Sequence, residues 1–215
     1  MKKIIAVIAV LFVFAQCNTK KGIPETFDYG TIANGTYTNK FFDFEIAVPA
    51  GWHNSSKEEM DQLNEQGREL ITGGDEQKKS EFKAAEVNTA SLFQISKFSL
   101  ETVDTANFNM SVISMAEKID TAQKIETASD YLVQVKQHLS NAQLPISIDE
   151  GTTTVKLGGK DFLALSTHYL IPGTPVDQVY YTTLLNGFAL SFICTTQGDE
   201  QKTQMQEILS KLKFN

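Results

Sequence analysis

The side chains best suited to catalysis or metal binding are scattered along this chain. Its histidines, His53, His138 and His168, are far apart, and none has a second histidine or a cysteine at ligand spacing. No serine lies in a Gly-x-Ser-x-Gly turn. Neither Gly73-Gly74 nor Gly158-Gly159 belongs to a phosphate-binding loop, which would continue as Gly-Lys-Ser/Thr. We therefore predict no catalytic residue, no metal site and no cofactor, and a hydrolase with an unrecognised site is the remaining enzymatic alternative.

The two cysteines lie in very different surroundings. Cys194 follows Phe188, Leu190 and Phe192 at every second position of a strand-like run, which predicts a buried and unreactive thiol. Cys17 instead follows Lys2, Lys3 and an apolar run of twelve residues, 4–15. That run is shorter than the roughly 20 apolar residues that cross a bilayer, so it is typical of a secretory signal.

The residues before Cys17 resemble the lipobox of bacterial lipoproteins, here Phe14-Ala15-Gln16-Cys17. The resemblance implies removal of the signal peptide 1–16, palmitate-type acylation of Cys17 and an extracytoplasmic, membrane-anchored protein. In a bacterium with two membranes, Asn18 in place of Asp favours the periplasmic leaflet of the outer membrane. The alternative is an ordinary signal peptide, or an amphipathic helix, with an incidental cysteine.

Composition limits the other partners. The chain has 215 residues and a formal charge of −7, and it becomes more acidic once Lys2 and Lys3 are removed with the signal. Because no basic stripe is present, we predict no nucleic-acid partner. The remaining residues, about 200 in number, suffice for one well-packed domain. We predict a flexible tether over 17–34 and a single domain over 35–215.

Periodicity within that domain predicts an α+β fold. Helices are expected from Ser56, over 128–140 and from Asp199, with a polar surface loop over 74–89. Hairpin turns are expected at Gly158-Gly159 and Asn186-Gly187, which set Lys156 opposite Asp161 and Tyr181 opposite Phe192. The architecture predicted is a helix–sheet–helix sandwich around a mostly antiparallel sheet of six to seven strands.

Three segments together resemble the PsbP-like superfamily, which includes a photosystem II extrinsic subunit and DcrB-type bacterial lipoproteins. They are the aromatic run at 37–44 leading into Val48-Pro49-Ala50-Gly51-Trp52, the hairpin around Gly158-Gly159, and the Phe188–Phe192 strand with the closing helix. The resemblance implies an α/β/α sandwich and mostly non-enzymatic roles in assembly and binding.

Two features are candidate binding surfaces. Trp52 could line a groove at the sheet edge, or it could anchor the core after the Pro-Ala-Gly turn. The stiff segment Pro172-Gly173-Thr174-Pro175 could present a binding surface, or it could simply connect two strands. The function we expect is a non-catalytic binding or assembly module that contacts an envelope protein. The alternative is a carrier of a small apolar ligand or lipid in a pocket between helix and sheet.

Overall fold

A computed structural model describes residues 22–99, 108–119, 124–142, 144–171 and 174–215. Cys17 and the signal segment lie outside these residues. The described part of the chain has four α-helices, none of which is long and apolar enough to cross a membrane. The helices are α1 (Lys57–Thr72), α2 (Glu76–Ala85), α3 (Ala128–Asn141) and α4 (Gly198–Leu209).

Local signals explain where α1 and α3 begin. Ser56 caps α1 by accepting from the Glu59 backbone N–H, while the Glu59 side chain accepts from the Ser56 backbone N–H, which completes a capping box. Thr127 and Asp130 repeat this arrangement at α3. Helix α1 ends at Gly73, whose φ of 59° is a left-handed conformation that favours glycine.

The strands form two sheets, and every strand pair described is antiparallel. A four-stranded sheet has the order β1–β2–β3–β12, and an eight-stranded sheet has the order β4–β5–β6–β11–β10–β9–β7, with β8 also pairing with β9. The strands are β1 (Thr31–Ala33), β2 (Thr36–Asn39), β3 (Phe44–Ala47), β4 (His53–Asn54), β5 (Thr89–Ser96), β6 (Ser111–Lys118), β7 (Ile146–Ile148), β8 (Thr153–Leu157), β9 (Lys160–Ile171), β10 (Thr174–Leu185), β11 (Phe188–Thr196) and β12 (Lys213–Phe214).

The large sheet is buried on both faces. One face, which we call the aromatic face, carries Phe188, Leu190, Phe192 and Cys194 of β11 and packs against α4 and the small sheet. The opposite face, which we call the mixed face, carries Ala189, Ser191, Ile193 and Thr195 of the same strand, and α3 packs on it. The predicted α+β class and helix–sheet–helix layering are thus confirmed, although the large sheet has more strands than predicted and the small sheet was not expected.

Both hairpin registers predicted from turn residues are confirmed. Lys156 lies opposite Asp161 and their charged ends are 2.7 Å apart, while Leu157 and Lys160 flank the Gly158-Gly159 turn. Tyr181 lies opposite Phe192 across the β10–β11 pair. Two-residue turns with positive φ match the natural twist of antiparallel strands, so such turns fix the register locally.

Two expectations about surface segments are wrong. The polar stretch expected as a loop over 74–89 instead contains α2, which Asp75 caps through the backbone N–H groups of Gln77 and Lys78. Its Glu, Gln, Lys and Ala residues are good helix formers, and Lys79 Nζ forms an ion pair with Glu69 of α1. The segment lacks apolar periodicity, and helical propensity and contact with α1 stabilise α2 instead.

The second correction concerns the tether expected over 17–34, because its described part, residues 22–34, packs on the domain. Phe27 is buried in the aromatic cluster, with its ring centroid 5.4 Å from that of Phe188. Strand β1 pairs with β2, and the Ile23 backbone N–H donates to the Val87 carbonyl. The folded unit therefore begins before residue 35.

Candidate functional site

A pocket of about 590 Å³ lies between α1 and the first residues of β5. One wall is a single face of α1, because its residues recur at helical spacing. The opposite wall comes from β5, from Glu86 just before it, and from the N-terminal segment. The lining residues are Tyr29, Gly30, Lys57, Met60, Asp61, Asn64, Glu65, Arg68, Glu86, Thr89, Ser91 and Leu92.

Arg68 is the central charged group of this pocket. Its side chain is only 11% exposed, and its guanidinium lies 2.9 Å from Glu65 on α1 and 3.2 Å from Glu86, which precedes β5. The two carboxylates occupy the terminal nitrogens, whereas Nε is buried and has no hydrogen-bond partner among the described residues. A buried N–H without an acceptor is costly, so Arg68 Nε is an unused hydrogen-bond donor in the wall of the pocket.

Thr89 presents a second unused group on the opposite wall. Its hydroxyl oxygen is buried and also lacks a hydrogen-bond partner within the described part of the chain. A threonine hydroxyl both donates and accepts, so it can satisfy a ligand hydroxyl in either direction. Asn64 adds an amide with both functions to the same lining. The pocket therefore combines donors and acceptors on two sides.

Tyr29 supplies an aromatic surface to the pocket and is held by its neighbours. It is 50% exposed, and its backbone carbonyl accepts from the Tyr37 hydroxyl at 2.8 Å. The next residue, Gly30, has φ of 77° and lies so close to the Tyr37 ring that a Cβ would be 2.3 Å from its hydroxyl oxygen. Only glycine fits there, so this contact fixes the path of the chain at Tyr29.

The pocket is lined by charges of both signs, with more negative than positive ones. Its acidic residues are Asp61, Glu65 and Glu86, and its basic residues are Lys57 and Arg68. Burial raises the pKa of the Glu86 carboxyl, although Arg68 acts in the opposite direction. The pocket is thus poorly suited to a free anion and better suited to a neutral ligand with hydrogen-bonding groups.

Two of the described histidines, His53 and His168, form ion pairs with carboxylates. His168 Nδ1 contacts Asp177, and its Nε2 lies 3.2 Å from Asp149. The hydrogen bond to Asp177 raises the pKa of His168. Burial alone would raise the pKa of Asp177, but hydrogen bonds from His168 and Lys202 outweigh it and lower that pKa. This network lies on the surface, where β9, β10 and α4 meet.

His53 also contacts a carboxylate. Its Nε2 lies 3.0 Å from both carboxylate oxygens of Glu59, the residue that completes the α1 capping box. His138 lies in the last turn of α3 and is exposed. Within the described ranges, no group of three or more His, Cys, Asp or Glu side chains is placed to hold a metal ion.

The structure separates the candidate residues from the pocket. Trp52 is half-buried and packs against the aromatic cluster, and it does not line the pocket. Thr174 and Pro175 belong to β10 rather than to a loop, while Pro172 and Gly173 lie outside the described residues. Cys194 is buried on the aromatic face, and burial raises the pKa of its thiol.

Sequence reasoning missed the pocket, although one signal was present. Polar residues of α1 recur at 57, 61, 64, 65 and 68, which places them on one helical face beside Met60. That pattern alone is typical of a solvated helix surface. Only the placement of α1 beside β5, and of Tyr29 beside both, makes this face a pocket wall.

No protein-family model matches this chain, and a comparison with curated proteins finds no match either. Similar solved structures include PsbP of the cyanobacterium Synechocystis sp. PCC 6803, with 11% identity and a TM-score of 0.49 over 86% of this chain and 98% of that one. Another is a protein of Bacteroides thetaiotaomicron, with 10% identity and a TM-score of 0.47 over 84% of this chain and 48% of that one.

A third is LpqN of Mycobacterium tuberculosis, described as involved in cell envelope biogenesis, with 15% identity and a TM-score of 0.38 over 79% of this chain and 82% of that one. A PsbP structure is thus among those similar to this chain, as the sequence resemblance predicted. Similarity at this level assigns no residue role and no activity to the chain.

Proposed function

We propose that this protein is a non-catalytic binding module of the cell envelope, anchored through acylated Cys17, and that the pocket between α1 and β5 is its binding site. The observation that carries the proposal is the pair of unused polar groups, Arg68 Nε and the Thr89 hydroxyl, in the lining of a pocket of about 590 Å³. Concave sites of this size with a few convergent polar groups are typical of small-molecule binding.

The chemistry of the lining favours a neutral, hydroxyl-rich ligand such as a sugar unit. Each sugar hydroxyl both donates and accepts, which suits a lining that alternates carboxylates with Arg68, Asn64 and Thr89. The negative excess disfavours phosphate or a free carboxylate. Exposed Tyr29 offers an aromatic face to the apolar side of a ring. This differs from the alternative raised by the sequence, a carrier of an apolar ligand or lipid, because charged side chains line the pocket.

The proposal is tested by titrating N-acetylglucosamine and glucose into the full mature protein in detergent and following binding by NMR. We expect saturable shifts at Asn64 and Thr89. Thr89→Val keeps the side-chain shape and removes the hydroxyl, so affinity should fall about tenfold. The matched control is Thr183→Val, at a half-buried threonine of β10 outside the pocket. Absence of shifts, or equal affinity of the two variants, would refute the pocket as a sugar site.

A protein partner is a second candidate, favoured by the β9–β10 hairpin. Leu170 is 69% exposed near the end of this hairpin, and exposed Pro175 lies directly opposite it. Apolar surface exposed at the end of a hairpin is available to another protein, and we propose this pair as a contact point. A photo-crosslinker at Leu170 should capture a defined envelope protein in intact cells, whereas one at exposed Thr153 should not.

A further inference from the structure

The distance between the expected anchor and the folded domain is short. Gly22, the first described residue, is five residues after Cys17. Even a fully extended chain of that length spans at most about 18 Å. A domain of this size has a diameter of about 40 Å, estimated from a radius of gyration of about 16 Å. An acylated Cys17 therefore limits which side of the domain can face the lipid.

Contacts at Gly22 and Ile23 hold the start of the described chain on one side of the molecule. The Ile23 backbone N–H donates to the Val87 carbonyl at 3.3 Å. The Lys118 ammonium donates to the Gly22 carbonyl at 3.1 Å. Gly22 is also so close to Val87 that a Cβ would lie 2.9 Å from its side chain. The chain thus enters the domain beside Val87.

This entry point adjoins the pocket. Val87 directly follows Glu86, which lines the pocket, and Tyr29 lines it as well. Val87 is 57% exposed and Tyr29 is 50% exposed, two of the four large apolar side chains that are exposed in the described part of the chain. Aliphatic side chains and tyrosine, with its apolar ring and polar tip, suit the boundary between lipid head groups and acyl chains.

We propose that the surface formed by Gly22, Tyr29 and Val87, which we call the anchor face, lies against the lipid bilayer. The inference rests on the proposed acylation of Cys17. A tether of this length keeps the anchor face at high effective concentration near the membrane, so a weak contact of two side chains is sufficient. The pocket then opens at the level of the lipid head groups, and its ligand is drawn from that layer rather than from bulk solution.

The test measures how close individual positions come to lipid. Full-length acylated protein carrying Val87→Cys is labelled with a polarity-sensitive fluorophore and reconstituted into phosphatidylcholine vesicles that contain doxyl-labelled lipid. The native thiols do not interfere, because Cys17 carries lipid and Cys194 is buried. The matched control is Val133→Cys, a valine that is 51% exposed on α3. Helix α3 contacts β10 and β9, which lie three and four strand spacings from β5, or about 14 and 19 Å.

We expect blue-shifted emission at position 87 and at least about twofold stronger quenching there than at 133. A flexible insertion of about twelve Gly and Ser residues after Thr19 should lower the quenching at 87 toward the value at 133. Equal quenching at the two positions, or no effect of the insertion, would overturn the inference while leaving the anchor intact. Failure of the protein to float with vesicles would overturn both the anchor and this inference. Sugar binding in detergent is independent of either result.

Discussion

The two faces of the large sheet differ in how they are held together. On the aromatic face, Phe192 contacts the rings of Phe44, Phe93 and Phe162, with centroids 5.5 to 6.3 Å apart. On the mixed face, Gln178 is fully buried and forms hydrogen bonds with several neighbouring side chains. Apolar packing depends on volume, whereas a buried polar network depends on each donor meeting its acceptor.

The polar network of the mixed face is centred on Gln178. Its side-chain oxygen accepts from the hydroxyls of Tyr169 and Tyr180, and its side-chain nitrogen donates to Thr195 Oγ1 at 2.9 Å. Burial raises the pKa of Tyr169 to about 12, so this phenol stays a donor at ordinary pH. We infer that the aromatic face supplies most of the stability and that the mixed face fixes the arrangement of neighbouring strands.

The largest expected effect is a cavity on the aromatic face. Phe192→Ala should lower the free energy of unfolding by about 3–5 kcal/mol, because it removes a fully buried ring from contact with three others. Urea denaturation followed by far-UV circular dichroism measures the loss. Phe192→Leu, which keeps most of the volume, should cost clearly less. A loss below about 1 kcal/mol for the alanine variant would mean that this face does not dominate stability.

A pair of nearly volume-conserving substitutions compares the two faces directly. Gln178→Met should cost about 2–4 kcal/mol, because it removes the acceptor shared by two buried tyrosine hydroxyls. Leu190→Met on the aromatic face should cost less than about 1.5 kcal/mol, because volume is nearly unchanged. Denaturation curves of both variants give the comparison. Similar losses would show that the mixed face is held by packing after all.

Substitution and labelling of Cys194 test whether the aromatic face excludes water. It is buried between Leu190, Phe192 and neighbouring strands, so Cys194→Ser should cost about 1–3 kcal/mol by burying a hydroxyl in apolar surroundings. The native thiol should resist iodoacetamide and react fully in denaturant, because burial raises its pKa. Rapid alkylation of the native protein would contradict this, as would an unchanged melting temperature of the serine variant.

The sequence is a good guide to structure where the determining interactions are local. The turn at Gly158-Gly159 and the helix start at Ser56 are both determined by residues within a few positions, and both predictions are confirmed. The small sheet was missed because β12 pairs with β3, about 170 residues away, through Phe214 and Phe44. No local pattern specifies such a pairing.

The pocket was missed for the same physical reason. Arg68 and Glu86 are 18 positions apart. They meet only because the chain turns after α1 and brings the start of β5 beside that helix. Phe27 was assigned to a tether because it is a lone apolar residue without periodicity, yet its ring fills a place beside Phe188. Sequence pattern identifies a face of a helix or strand, and the tertiary fold decides what that face contacts.

The smallest expected effect on stability is at the edge of the aromatic face, where β9 and β10 extend beyond the core and bear charged side chains. His168 pairs there with Asp177 and Asp149, and Lys202 of α4 also contacts Asp177. The folded-state pKa of His168 is raised above its ordinary value of 6.5, chiefly by the hydrogen bond to Asp177. Its stabilisation is therefore fully present below pH 6.5 and is lost as pH rises through the raised pKa.

His168→Asn should therefore be less stable than the wild type by about 0.5 kcal/mol near pH 6, since the ion pair is exposed and largely screened. The difference should shrink toward zero as pH rises above the folded-state pKa. Thermal unfolding of both proteins between about pH 6 and pH 9 measures it. His138→Asn on α3 is a comparison of opposite sign: partial burial lowers the pKa of His138, so its replacement should not destabilise the protein near pH 6. If the stability difference between the wild type and His168→Asn instead grew with pH, the neutral form of His168, and not its positive charge, would be what stabilises this region.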